Sequence, residues 1–396
     1  MKILIINAGS SSVKFTLFES DDEKMLAKGL IERINTPDAT LKYSNSKGAK
    51  VEKKIRANSY EAAISEACLA LMDRSFGVIG NLTEIAGIGH RVVHGGSEIS
   101  GSVKITPQVK QMILDCYSLA PIHNPPNREG IEACENLFPN VPMVAVFDTA
   151  FHQTMPAHAY TYAIPADIAA KHKIRRYGFH GTSHHYVAIT AAAALKRDWS
   201  ELRLITAHLG NGCSITAVNR GKVADTSMGL TPLEGLVMGT RCGDLDPAVV
   251  LFLRRIGYSL DEVDALLNKK SGLLGISGIG SSDMRDLLHA VDAGNPAAQL
   301  ALDVFVHRLV KYVGAYVAIL KGCDAVIFTG GIGENVPRIR AAVCDHLGYL
   351  GLELCPQRNK ANELIISTDA STTRAMVVPT NEELMIARET ARLLHS

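Results

Sequence analysis

The sequence lacks most of the features that sort a chain quickly. Its eight cysteines are scattered singly with no CxxC pair, so neither a zinc site nor a disulfide framework is indicated, and the pattern fits a reducing cytosol. No apolar run approaches the roughly 18 residues needed to span a bilayer. The N-terminal ILII is too short for a signal-peptide core and runs into a serine turn instead of a cleavage site. A formal net charge of +1 gives no electrostatic reason to expect nucleic acid or an anionic membrane as partner. There is no HExxH, and no Walker A either: Gly9 is followed by SSSVK, not by four residues and GK[ST]. A cytoplasmic location is the expectation.

What is present is a globular composition, 47% hydrophobic and 20% charged. At 396 residues the chain exceeds one ordinary core, and two domains are expected. It opens on the apolar run Ile3 to Ile6, which suits a strand buried on both faces. Asn7, Ala8, Gly9 and three serines follow, then Val13, Phe15 and Leu17 alternating with Lys14 and Thr16. That is a β-hairpin with a tip of small donors. Gly9 lets backbone approach a ligand, Ser10 to Ser12 add hydroxyls and amides, and Lys14 adds a point charge. The tip suits a phosphate, with Asn7 in reach of a metal or its water, while an ordinary hydrated turn fits the same residues.

Further along, Met25 to Val51 reads as more antiparallel strands and turns, and the stretch after Ser59 as a helix. IAGIGHRVVHGG reads as a short strand, Ile85 to Ile88, ending in a Gly-, His- and Arg-rich loop. Thr106 to Leu119 reads as helical, Ala120 to Asn127 as irregular because of its prolines, and Arg128 to Leu137 as helical again. VPMVAVFDTAFH is then a buried strand ending in Asp148, and Tyr312 to Leu320 a buried core helix.

From about residue 150 the pattern starts again. LRLITAHLGNGCSITAVNRGK repeats the layout of the opening hairpin, DAVIFTGGIGENVPRIRAAV (strand, glycine loop, helix opening near Asn335 and Pro337) echoes IAGIGHRVVHGG, and AMVVPTNEEL echoes MVAVFDTAFH. Three paired units in the same order suggest one α/β domain present twice. Each half would hold a mixed sheet flanked by helices, with a ligand in the cleft between the halves.

The glycine-rich tips collect the chemistry. Gly/Ser/Asn turns supply backbone N–H groups for phosphate oxygens. Arg91 and Arg241, placed in the loops GHRVVHGG and GTRCGD, suit a carboxylate and a transferring phosphoryl group. Asn7, Asp148 and Glu382 are strand-end oxygen ligands of the kind Mg²⁺ accepts. His180 suits a phosphoryl oxygen, whereas helix-start capping or core contacts suit His184 and His185 better than metal binding. The set matches phosphoryl transfer, in which positioning and charge neutralisation supply most of the catalysis.

NAGSSSVKF, GHRVVHGG, FDTAFH, YGFHGTSHH, HLGNGCS, MGLTPLEGLVMGTRCGDLDP, GIGSSDMR, FTGGIGEN and PTNEEL follow one another as in the acetate kinase family, which the chain resembles from Met1 to Ser396. The resemblance implies the fold of the acetate and sugar kinase, Hsp70 and actin superfamily: α/β, two duplicated RNase H-like (actin-like ATPase) domains with an interdomain active-site cleft. It implies a first domain of 1–150 with the C-terminal helix 383–396 packed on it. The second, 151–382, would bind nucleotide and form a homodimer. The activity implied is reversible, Mg²⁺-dependent transfer of the ATP γ-phosphate to acetate, giving acetyl phosphate and ADP, with Mn²⁺ as a substitute metal.

By motif, the resemblance puts Asn7 and Glu382 on Mg²⁺, Ser10 and Ser12 in a phosphate loop, and Lys14 near the nucleotide phosphates. Arg91 would bind the carboxylate, Asp148 is the family's catalytic acid/base, and His180 and Arg241 would stabilise the transition state. ATP would lie on His208, Leu209, Gly210, Asn211 and Gly212, on Asp283, Met284 and Arg285, and on Gly331, Ile332, Gly333, Glu334 and Asn335. Val93, Ile122, Phe179 and Pro232 would form the apolar pocket for the acetate methyl. A carboxylate nucleophile is already ionised near neutral pH and needs no base, so Asp148 is read here as organising Mg²⁺ and its waters. Direct in-line attack follows, with His180, Arg241 and Mg²⁺ balancing charge, and the duplicated cleft leads us to expect closure on nucleotide. One methylene in such a pocket is worth only roughly 1–3 kcal/mol, which keeps a propionate or butyrate kinase in play. An ATP-switched scaffold would share the fold without needing the arginine pair or the pocket.

Overall fold

The opening apolar run becomes β1 (Lys2–Gly9), and the alternating run after the serines becomes β2 (Ser12–Glu19). β3 (Lys24–Glu32), β4 (Thr40–Asn45) and β5 (Lys50–Lys54) continue outward, each antiparallel to the one before. On the other side of β1, β6 (Ile85–Val92) and then β8 (Met143–Phe147) pair in parallel, and β7 (Val103–Lys104) closes the edge. This computed structural model describes residues 1–395. It divides into one unit built from Met1–Phe151 with the stretch from Asn381, and a second built from His152–Thr380.

In the first unit, helix Tyr60–Leu71 is capped by Ser59, whose hydroxyl accepts from the Ala62 N–H. Two local expectations differ from the structure. β6 runs on through Val92, so Arg91 stands on a strand and not in a loop, because the parallel ladder with β8 continues to the pair Val92 and Phe147. The proline-rich stretch is not irregular throughout: helix Asn124–Leu137 starts at Asn124, with prolines in its first turn, where a missing N–H costs nothing. Helix Glu382–His395 packs on β6. A Cβ at Gly89 would come within 2.4 Å of Thr390 Oγ1 and 2.7 Å of Ile386 Cγ2, so the close approach requires glycine. Glu382 opens that helix, so it lies in the first unit and not at the end of the second.

The second unit has β9 (Arg203–Leu209), β10 (Cys213–Asn219), β11 (Lys222–Thr226), β12 (Ala325–Thr329) and β13 (Arg374–Val377). Their order is β11-β10-β9-β12-β13. β9 to β11 are antiparallel, and β12 and β13 run parallel to β9. That is the order and direction of β3-β2-β1-β6-β8, so the same five-strand topology occurs in each unit. Helix Gly181–Ala194 covers one face of this sheet, and Pro296–Leu320 is a long helix with an apolar core-facing stripe. The glycine stretch after β12 is a short helix, Gly330–Asn335, and not an open loop; a second helix, Pro337–Asp345, follows it. Among the described residues no helix is long and apolar enough to cross a membrane.

Candidate active site

In the first unit the ends of β1, β6 and β8 stand side by side, and Arg91 is at their centre. Its Nε donates to Asp148 Oδ1 at 3.0 Å and its Nη2 to Asp148 Oδ2 at 2.7 Å, a two-pronged pair. Nη1 is 3.9 Å from Glu382 Oε2. Asp148 is 2% exposed; burial raises its carboxyl above the usual carboxylate range, and the Arg91 guanidinium offsets part of that rise. Burial works against the Arg91 charge as well, but Asp148 and Glu382 together hold it above arginine's usual value.

The strand ends are clipped in place by the first turn of helix Asn124–Leu137. Asn127 accepts from the Val93 N–H at 3.0 Å and donates to the Ala8 carbonyl at 2.7 Å, which ties β6 to β1. Asn124 accepts from the His94 N–H at 3.1 Å and donates to the His94 carbonyl at 2.9 Å. The last rung of the β1–β6 ladder joins Ile6 to His90, so Asn7 stands level with Arg91. Glu382 Oε1 is buried with no hydrogen-bond partner among the described residues. Asn7 and Glu382 therefore offer hard oxygens that fit a Mg²⁺ ion. No group of three His, Cys, Asp or Glu that could hold a metal occurs among the described residues, so such an ion would keep waters and substrate oxygens as its other ligands.

In the second unit His180, Arg241 and the turn Gly210–Gly212 converge. A Cβ at Gly212 would lie 3.2 Å from Arg241 Nη2 and 3.6 Å from His180 Cε1, so glycine here makes room for both side chains. Arg241 Nη1 donates to the Pro232 carbonyl at 2.8 Å, and burial pushes its guanidinium below arginine's usual value. His180 is the N-cap of helix Gly181–Ala194 with left-handed φ of 55° and ψ of 25°, a strained backbone for a non-glycine residue. Its Nδ1 is 2.9 Å from Ser214 Oγ, and its ring stacks on His208 at 4.3 Å. His184 has no ligand role here: it is fully buried and bonded to Thr206 Oγ1 at 2.7 Å and Ser214 Oγ at 2.7 Å.

The remaining predicted residues fall around these two centres. Leu209 ends β9, Gly210, Asn211 and Gly212 form the turn to β10, and the Gly239 N–H donates to Asn211 O at 3.0 Å. Asp283 caps helix Met284–Asp292 by accepting from the Arg285 N–H, and the Arg285 guanidinium holds its carboxyl at about 2. Glu334 Oε1 accepts from the N–H groups of Gly330 at 2.9 Å and Thr380 at 3.1 Å, which fixes the start of the short helix that holds Gly331, Ile332 and Gly333. Lys14 and Ser10 are exposed in the first unit, and Ser12 is half-buried. Of the apolar set, Val93 and the exposed Ile122 belong to the first unit, while buried Phe179 and half-buried Pro232 belong to the second.

Four residues that position the site were not read from the sequence: Asn124, Asn127, Ser214 and Arg340. Arg340 is fully buried, and its hydrogen-bond partners among the described residues are carbonyl and amide oxygens. Its Nη1 donates to the carbonyls of Gly333 at 2.8 Å and Glu334 at 2.9 Å. Ser214 lies inside a quoted motif and Asn127 beside two prolines, but neither position says which distant group it meets.

A profile described as the Acetokinase family matches residues 2–388. An acetate kinase from Alkaliphilus metalliredigens is 52% identical over 397 residues, covering 100% of both chains. The crystal structure of Porphyromonas gingivalis acetate kinase matches with a TM-score of 0.96 at 45% identity, covering 99% of each chain. That of a propionate kinase from Francisella tularensis matches with a TM-score of 0.92, also at 45% identity and 99% of each chain. With residues 2–388 matched by that profile and a relative 52% identical over the whole chain, the chain belongs to the acetokinase family.

Proposed function

We propose that this chain catalyses the reversible transfer of the ATP γ-phosphate to acetate, giving acetyl phosphate and ADP. The observation that carries the reading is the pair of arginine centres: Arg91 held flat by Asp148, and Arg241 beside His180 at Gly212. Arg91 presents its remaining N–H edge to the acetate carboxylate, and Arg241 and His180 neutralise the equatorial oxygens of the phosphoryl group in flight. The acetate oxygen attacks phosphorus in line and loses no proton, so Asp148 serves to hold Arg91 and not to act as base. The Gly210–Gly212 turn and the Gly331–Gly333 backbone cradle the nucleotide, with Asp283 and Arg285 at its edge. Mg²⁺ held by Asn7 and Glu382 would supply further charge neutralisation on the phosphate oxygens.

Propionate is the second candidate acceptor, because the Francisella propionate kinase matches at the same 45% identity as the Porphyromonas acetate kinase. Hydroxamate trapping of the acyl phosphate, with acetate, propionate and butyrate side by side, decides. The highest kcat/KM is expected with acetate. ATP hydrolysis indifferent to any carboxylate would overturn the kinase reading.

We also propose a homodimer through the second unit. Helix Pro247–Arg255 buries none of its residues, and Leu251, Phe252, Ile256 and Leu260 are 56%, 57%, 56% and 70% exposed. Contiguous apolar surface of that kind marks an interface. Light scattering on the wild type and on Phe252→Glu tests it, with a dimer expected for the first and a monomer for the second. The eight free cysteines support a reducing, cytoplasmic setting.

A further inference from the structure

His180 is the N-cap residue of helix Gly181–Ala194, Arg241 lies on the far side of Gly212, and His208 stacks on its ring from β9. His184 adjoins it through Ser214 on β10. A neutral imidazole has one donor and one acceptor. If His180 is to meet a phosphoryl oxygen it must carry its single proton on Nε2, because Nδ1 is taken by Ser214.

We infer that Thr206, His184 and Ser214 form a one-way hydrogen-bond relay that fixes neutral His180 as its Nε2–H tautomer. The inference rests on the phosphoryl-transfer reading of this site. The Thr206 hydroxyl donates to His184 Nδ1, His184 Nε2–H donates to Ser214 Oγ, and the Ser214 hydroxyl donates to His180 Nδ1. The other acceptor for Thr206, the Thr216 carbonyl, is 3.5 Å away, too far to compete with 2.7 Å to His184. Burial holds His184 neutral, helped by His152 and His208, so it passes direction without storing charge. In the reverse relay a lone pair at His180 Nε2 would face an oxyanion. Ser214, His184 and Thr206 are positioning residues, acting through His180.

The relay is read directly by ¹⁵N-histidine NMR of the wild-type protein without substrate, with the His180 signals assigned from a His180→Asn spectrum. The expected pattern is Nε2–H for both His180 and His184 at pH 7, unchanged to pH 6. An Nδ1–H tautomer or an imidazolium at His180 would overturn the relay, and would do so whatever the acyl-phosphate assay finds. Kinetics supply a second arm. Ser214→Ala should lower kcat about tenfold, the worth of one hydrogen bond to a charged group, and should make kcat fall with rising pH, since donation then favours the protonated ring. Ser214→Thr, which keeps the hydroxyl, should restore the flat profile. A Ser214→Ala enzyme with wild-type kcat and an unchanged pH profile also overturns the inference.

Discussion

Arg91 and Arg241 are both held rigidly, but by opposite means, and the difference sorts their roles. Arg91 is fixed by anions, so its charge is largely spent within the protein and what remains is a planar donor edge suited to a carboxylate. Arg241 is fixed by one neutral carbonyl, so its full charge is left for an arriving anion. Arg241→Ala should therefore lower kcat by about 10³-fold, as for arginine fingers, with smaller changes in either KM. Steady-state kinetics check this, and near-normal turnover would remove Arg241 from the transition state. For Arg91 the expectation concerns coupling. Arg91→Ala and Asp148→Asn should each raise KM for acetate more than for ATP. The double variant should be no worse than Arg91→Ala alone, because a contacting pair couples by about 0.5–3 kcal/mol. Additive effects would show that Asp148 acts on its own. The glycine neighbours exposed these two arginines and the family resemblance told them apart, but the physical ground for the difference lies in partners 57 residues away for Arg91 and nine away for Arg241.

At the scale of elements, much of the fold was legible from periodicity. Ile3 to Ile6 and Val13 to Leu17 declare a buried strand and its hairpin partner, and Ser59 declares a helix start. The misreadings came where a tertiary partner overrode local chemistry. Gly89, His90 and Arg91 look like a loop but are held as strand by β8, and Pro125 and Pro126 look like breakers but begin a helix. Gly89 is glycine because the helix carrying Glu382 needs its face. Gly89→Ala should cost about 1–3 kcal/mol through overpacking, seen as a lower melting temperature, and should weaken Mg²⁺ dependence by moving Glu382. An unchanged melting temperature would mean that the helix has room to shift. Arg340 does for the short helix Gly330–Asn335 what a C-terminal cap does: it collects the last carbonyls with a positive charge. It also donates to Asn359 Oδ1 at 2.7 Å and Asn362 Oδ1 at 2.6 Å, and burial pushes its guanidinium down to about 10. Arg340→Lys keeps the charge and loses the fork. It should raise KM for ATP about tenfold, the scale of one lost charged hydrogen bond, and leave KM for acetate alone. Equal changes in both would make Arg340 a general support of the fold.

At the scale of the whole molecule, the repeated strand–turn–strand runs announced a duplicated topology, and both sheets have it. The network that joins His180 to residues on β9 and β10 was not announced, because strand periodicity says which face a side chain takes and not what it meets there. The same burial that builds that network sets a property of the entire chain. Burial pushes His90 down to about 3 and His94 to about 4 in the first unit, and His152 to about 4 and His184 well below the usual value in the second. Unfolded, each would titrate near pH 6.5. Above that value both states are neutral and these groups cost nothing. As pH falls below it, the unfolded chain binds protons that the folded chain refuses. Stability then drops by about 1.4 kcal/mol per pH unit for each histidine, until the folded values are reached. His94 and His152 stop contributing near pH 4, whereas His90 continues to about 3. The melting temperature should be level from pH 8 to 7 and fall steeply between 6.5 and 5, in both units. Calorimetry across that range measures it, and an uptake of less than one proton on unfolding at pH 5.5 would contradict the buried neutral histidines. His90→Leu removes one of them from the first unit, so it should flatten the acid slope by one proton there and leave the slope of the second unit unchanged.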